Sequence, residues 1–150
     1  MRDTITIGSI AGCIASVIMT VIILIVRGLG FQFITTWETA AAIFLNMGLI
    51  HTPVGYFIGF LGQFILGASF GVAVAFALRF TGKDYYILKG IGVGAMYWIG
   101  TVGFFMHLLH IQLQGRGDPL SNIMAVLEFN VLGIIDSFII ARYGDFRKVK

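Results

Sequence analysis

Four stretches of this chain stay hydrophobic for the length of a bilayer crossing. Thr4 to Val26, Thr39 to Leu78 and Gly90 to Gly115 contain no Asp, Glu, Lys or Arg, and Leu120 to Ala141 is interrupted only by Glu128 and Asp136. Roughly 20 apolar residues suffice to cross the hydrocarbon core as a helix. The pattern therefore predicts transmembrane helices over about 4–26, 53–78, 88–111 and 120–141. The segment "TTWETAAAIFLNMGLIH" (35–51) is too polar at its start and too short to cross alone, yet too apolar for an open loop. Thr35 and Glu38 have the spacing of a capping box, in which each side chain satisfies an orphan backbone N–H. A short helix over about 36–49, lying in the outer interface with Trp37 at headgroup depth, is expected. Pro53 suits the first turn of the next span because it has no N–H to leave unpaired. "RFTGKDYYILKG" (79–90) is a short turn, and "QLQGRGDP" (112–119) is equally tight, so the third and fourth spans are antiparallel neighbours. The expected fold is an all-α integral membrane protein: four transmembrane helices and a short outer interfacial helix in a single domain.

Composition agrees with the pattern. The 150 residues are 58% hydrophobic and only 11% charged, against about a quarter charged in soluble domains, and the mean hydropathy is +0.95. The spans use nearly the whole chain, leaving no room for a separate soluble domain. The net charge of +3 does not point to nucleic acid, because the basic residues sit at span ends and form no patch. Arg2, Arg79, Lys83, Lys89, Arg142, Arg147, Lys148 and Lys150 fall on one side of the four-span layout, and only Arg27 and Arg116 on the other. The positive-inside bias then places both termini in the cytoplasm. Cys13 is the single cysteine, which excludes an internal disulfide. The "IAGC" before it has the form of a lipoprotein cleavage box, but the apolar run continues to Val26, as in a retained anchor.

The layout of anchor span, short amphipathic helix and three further spans, together with "TGKDYYILKG" (81–90), resembles the small four-span bacterial membrane proteins of unknown function. The resemblance implies a multi-pass protein of a bacterial plasma (inner) membrane. It carries over no functional residue.

Small residues are ordered along the spans. His51, Gly55, Gly59, Gln63, Gly67, Gly71 and Ala75 recur every four residues, and Gly8, Gly12 and Ser16 do the same on the first span. Such rows let helix backbones approach closely, which favours packing within the chain, a homo-oligomer or a larger membrane complex. At 100° per residue, Gly92, Met96, Gly100, Gly103, His107 and His110 share an arc on the third span, so the two histidines are expected to face protein. On the fourth span Ser121, Ala125, Glu128, Leu132 and Asp136 share one arc, with Asn130, Gly133 and Ser137 on a second side.

Ionisable groups within a span are expensive and are functional candidates by default. Gln63, His107, Glu128 and Asp136 form the expected intramembrane polar set. His51, His107 and His110 lie near one surface; the first expectation is a structural role, with ring N–H groups satisfied by carbonyls or interfacial water, and the alternative is a transition metal such as zinc, copper or nickel held with a carboxylate. His107 and His110 are one turn apart, so both cannot be trans axial ligands of one haem iron. No cofactor is predicted, and "TGKD" lacks the glycine lead and the Ser or Thr of a phosphate loop. The sequence ranks a structural or accessory membrane protein first, a small proton- or cation-coupled transporter or channel second, and a metal or redox protein third.

Overall fold

The computed structural model describes residues 3–108 and 118–144. It is all-helical there, and four of its helices are long and apolar enough to cross a membrane: α1 (Thr4–Gly28), α3 (Pro53–Thr81), α4 (Tyr86–Leu108) and α5 (Pro119–Tyr143). The short helix α2 (Thr36–Phe44) lies between α1 and α3 in sequence. The chain is a multi-pass membrane protein with the four-span all-α architecture its hydropathy predicts.

Helix ends follow local chemistry. Asp3 caps α1 by accepting from the N–H groups of Ile5 and Thr6. Thr52 caps α3 through the Gly55 N–H at 3.2 Å, with Pro53 in the first turn. Asp118 caps α5 through the Ser121 N–H at 2.9 Å, with Pro119 next. Gly82, at φ 85°, ends α3, and Tyr85 takes the left-handed conformation at φ 55° before α4 begins. The lysines of this turn cover helix-terminal carbonyls. Lys89 Nζ donates to the Thr81 and Gly82 oxygens at 3.0 and 2.9 Å, and Lys83 Nζ to the Ala141 oxygen at 2.8 Å.

The element expected over 36–49 is shorter than that. The capping box of Thr35 and Glu38 forms, but α2 stops at Phe44, because Leu45 and Asn46 are extended, and one 3₁₀ turn, Met47–Leu49, follows. Trp37 is 3% exposed, stacked on Phe60 at 5.3 Å with the Arg27 guanidinium over its ring. It therefore packs into the bundle instead of facing headgroups.

Glycines decide where backbones touch. A Cβ built on Gly8 would lie 2.6 Å from Val72 Cα, and one on Gly71 would lie 2.7 Å from Gly12 N. Gly12 and Gly67 meet in the same way, so α1 and α3 cross backbone to backbone. Gly59 abuts the Trp37 carbonyl and Gly55 the Ile50 carbonyl, which seats α2 and the following turn on the first half of α3. On α4 the close-packed glycines are Gly90 and Gly94, set against Gly133 and Phe129 of α5.

That last contact corrects an expectation. Gly100 has no neighbour within 4 Å, Gly103 only Ile99 of its own helix, and Met96 and His107 are exposed. The face through Gly92, Gly100 and His107 is thus the open side of α4. Two four-residue rows of glycine overlap in this helix, and α5 covers the other one. The helix also contains a π-helical stretch, Ile99–Phe105, closed by the Met106 N–H bonding the Thr101 carbonyl. Thr101 Oγ1 donates to the Tyr97 carbonyl at 2.6 Å. This bond competes for a helical acceptor in a run already loosened by Gly100 and Gly103.

Candidate functional site

Where α2 meets the bundle, the helices leave a cavity of about 80 Å³. A water needs about 10–15 Å³ of such space, so several waters or one small organic molecule fit. Its roof is the start of α2, with Thr35, Thr36 and Thr39. Ser16 of α1 and Gln63 of α3 form one wall, Thr101 and Met106 of α4 another, and Ser121, Asn122 and Glu128 of α5 a third. Phe70, Tyr97, Phe129 and Leu132 also line it.

Glu128 lies nine residues into α5, about 14 Å from its start, and is 5% exposed. Thr36 Oγ1 donates to Glu128 Oε1 at 2.5 Å. No Lys, Arg or His among the described residues lies within ion-pair distance of this carboxyl. Gln63, 3% exposed, donates from Nε2 to Thr20 Oγ1 at 2.9 Å. The Thr20 hydroxyl spends its proton on the Ser16 carbonyl at 2.8 Å, so towards Gln63 it can only accept. The orientation of the amide is fixed in consequence, and Gln63 Oε1 is left as a buried acceptor without a partner.

Beneath these acceptors sits an aromatic cluster. Phe70 and Tyr97 meet edge to face at 4.9 Å, and Phe129 lies 6.3 Å from each. The Tyr97 hydroxyl is held by Ser69 at 3.0 Å, which fixes its ring.

Of the expected polar set, the structure brings Gln63 and Glu128 to one cavity. Asp136 lies two turns further along the same face of α5, fully buried, with neither carboxylate oxygen partnered among the described residues. It does not line the cavity. Leu132, midway between the two carboxyls, does. His107 is exposed on α4 and lies outside the lining. His51 sits 3.9 Å from Glu38 Oε1 and leans on Tyr56. His110 lies outside the described residues. Among the described residues no three His, Cys, Asp or Glu side chains gather as a metal set.

Several residues of the site escape a sequence reading. Thr36, at the start of α2, and Thr20, within α1, are ordinary threonines whose partners Glu128 and Gln63 come from other helices. Tyr97 and Thr101 lie on the α4 face that the glycine pattern does not single out. Glu38 does more than cap: its Oε2 accepts from the Thr35 N–H at 2.9 Å while Oε1 accepts from Arg27 Nη1 at 3.0 Å, tying the roof helix to the end of α1. Compared with known proteins, the chain matches no family model, no curated protein and no solved structure.

Proposed function

We propose that this is a small proton- or cation-coupled transporter of a bacterial plasma membrane, with the cavity opening to the outside. One observation carries the reading: Glu128 is buried in a cavity wall with a threonine hydroxyl as its hydrogen-bond partner, and no cationic side chain among the described residues balances it. A carboxyl in that setting exchanges a proton or a cation with whatever enters. Asp136, eight residues and about 12 Å further along α5, supplies a second station. Leu132 and the fully buried Phe70 close the floor between them, so passage requires the helices to rearrange, as in a carrier and not in an open channel.

The test is flux in reconstituted vesicles loaded with a pH-sensitive dye and offered Na⁺, K⁺ or methylammonium in turn. The parent is expected to couple dye response to one of them. Glu128→Gln keeps shape and hydrogen-bonding capacity but removes the titrating proton, so it is expected to elute as the parent does and to carry no flux. Unchanged flux in Glu128→Gln, or no flux in the parent, overturns the reading.

A second reading, an accessory subunit or homo-oligomer, is favoured by α4. Only 11% of its most apolar 18-residue window is buried, against 33–39% in the other spans, and Gly92 and Gly100 lie open on it. On that reading Gly100→Leu lowers the mass of the protein–detergent particle, and an unchanged mass removes it.

A further inference from the structure

Two buried acceptors mark the cavity. Gln63 Oε1 is unpartnered, Glu128 has one hydroxyl donor across its carboxyl, and among the described residues no Lys, Arg or His lines the space. Among those residues an anion finds no charge to neutralise it, and a neutral apolar molecule leaves Gln63 Oε1 and Glu128 without compensation. A ligand that brings N–H donors and a positive charge satisfies both. The three rings of Phe70, Tyr97 and Phe129 complete the description, because aromatic faces attract a cation and accommodate the alkyl groups attached to it. A bare alkali ion gains little from that apolar wall and loses its hydration shell.

We propose that the cavity is a binding site for a small primary alkylammonium ion. The ammonium bonds to Glu128 and Gln63 Oε1, and the alkyl chain lies on the Phe70, Tyr97 and Phe129 rings. The volume of about 80 Å³ limits the chain to a few carbons. The proposal rests on reading the cavity as the functional site, and it names the substrate class of the proposed transporter.

Binding is tested apart from transport, on the purified full-length protein in detergent, by calorimetric titration with propylammonium. Butan-1-ol serves as the neutral probe and butyrate as the anionic one. Saturable one-to-one binding of propylammonium alone is expected, weakened at least tenfold in Glu128→Gln and severalfold in Tyr97→Leu. A second measurement keeps the wild-type chain: propylammonium, and not butan-1-ol, is expected to slow carbodiimide modification of Glu128, read by peptide mass.

Equal binding of butan-1-ol, undiminished binding in Glu128→Gln, or absence of both saturation and protection overturns the proposal. Binding without flux in the vesicles leaves this site standing and removes the transport reading. Flux with Na⁺ or K⁺ in a protein that does not bind propylammonium does the reverse.

Discussion

Ser121 has one hydroxyl and uses both of its functions. It donates to Asp118 Oδ2 at 2.9 Å and accepts from the Ile34 N–H at 3.2 Å, so the cap of α5 also anchors the strand of chain leading to the cavity roof. The Ser121 N–H, and then its hydroxyl, hold the Asp118 carboxyl below the ordinary value of 3.8. A carboxyl depressed by folding stabilises the native state fully above its unfolded value, and that contribution is lost as pH falls through the folded value. The parent should therefore lose thermal stability on acidification below about pH 4. Asp118→Asn, which caps comparably without titrating, should lose less over the same window, and coincident profiles would count against the linkage. Glycines give a contrast of the same size in side-chain terms. Gly71→Ala drives a methyl group into the Gly12 backbone and should destabilise the protein by about 1–3 kcal/mol, the usual range for overpacking. Gly92→Ala meets nothing within 4 Å and should be neutral or stabilising by up to about 1 kcal/mol, since Ala is the better helix former. Thermal unfolding in detergent separates the two, and equal responses would show that the α1–α3 contact is not as close as described.

At the scale of elements, what the sequence makes legible is what local chemistry decides. Hydropathy reveals the four spans, Pro53 marks the start of α3, and Thr35 with Glu38 marks the start of α2, because each signal acts on the residues beside it. Which side of α4 meets α5 is a different kind of question. Its sequence holds two interleaved rows of small residues, and the choice between them is made by the partner helix through Gly133. The rule that small residues mark the contact face therefore selects the wrong row here, and Gly92, Gly100 and His107 lie open. The cavity was half legible: burial of Gln63 and Glu128 follows from their faces, but Thr36 reaches Glu128 only because α2 seats on Gly59 of α3. This seating depends on Glu38, which is 5% exposed and joins the capping box to Arg27. Arg27 is partly exposed, so Glu38→Ala should cost about 1–3 kcal/mol, between the values for surface and buried pairs. Hydrogen exchange should rise over residues 36–44 and not in α1 or α3. Glu38→Gln can still accept from the Thr35 N–H, and its effect should be smaller. Uniform acceleration across all helices would mean that α2 does not open as a separate unit.

For the whole molecule, the two ends of the bundle use their charges differently, and this bears on which way the cavity faces. At the end carrying the α3–α4 turn, Lys83 and Lys89 lie over the terminal carbonyls of α5 and α3, and Arg79 Nη1 donates to Thr4 Oγ1 at 2.9 Å. These cations complement helix C-termini while collecting on one side of the bilayer. At the cavity end, Arg27 is tied to Glu38 and adds little net charge. We propose, from the positive-inside bias, that the lysine-bearing end faces the cytoplasm; on that orientation the proposed site is reached from outside. Cys13 is the only cysteine, so Cys13→Ser gives a background in which single sites can be labelled. Gly48, exposed with no atom within 4 Å of its added Cβ, and the exposed Asp84 lie at opposite ends of α3. In intact cells a membrane-impermeant maleimide is expected to label Gly48→Cys and to reach Asp84→Cys only after permeabilisation. The reverse pattern would invert the molecule and turn the proposed uptake of an alkylammonium into its export, without changing the binding site. Labelling of both positions from one side would instead remove α3 as a membrane span, and with it the argument that Glu128 is a carboxyl buried within the bilayer.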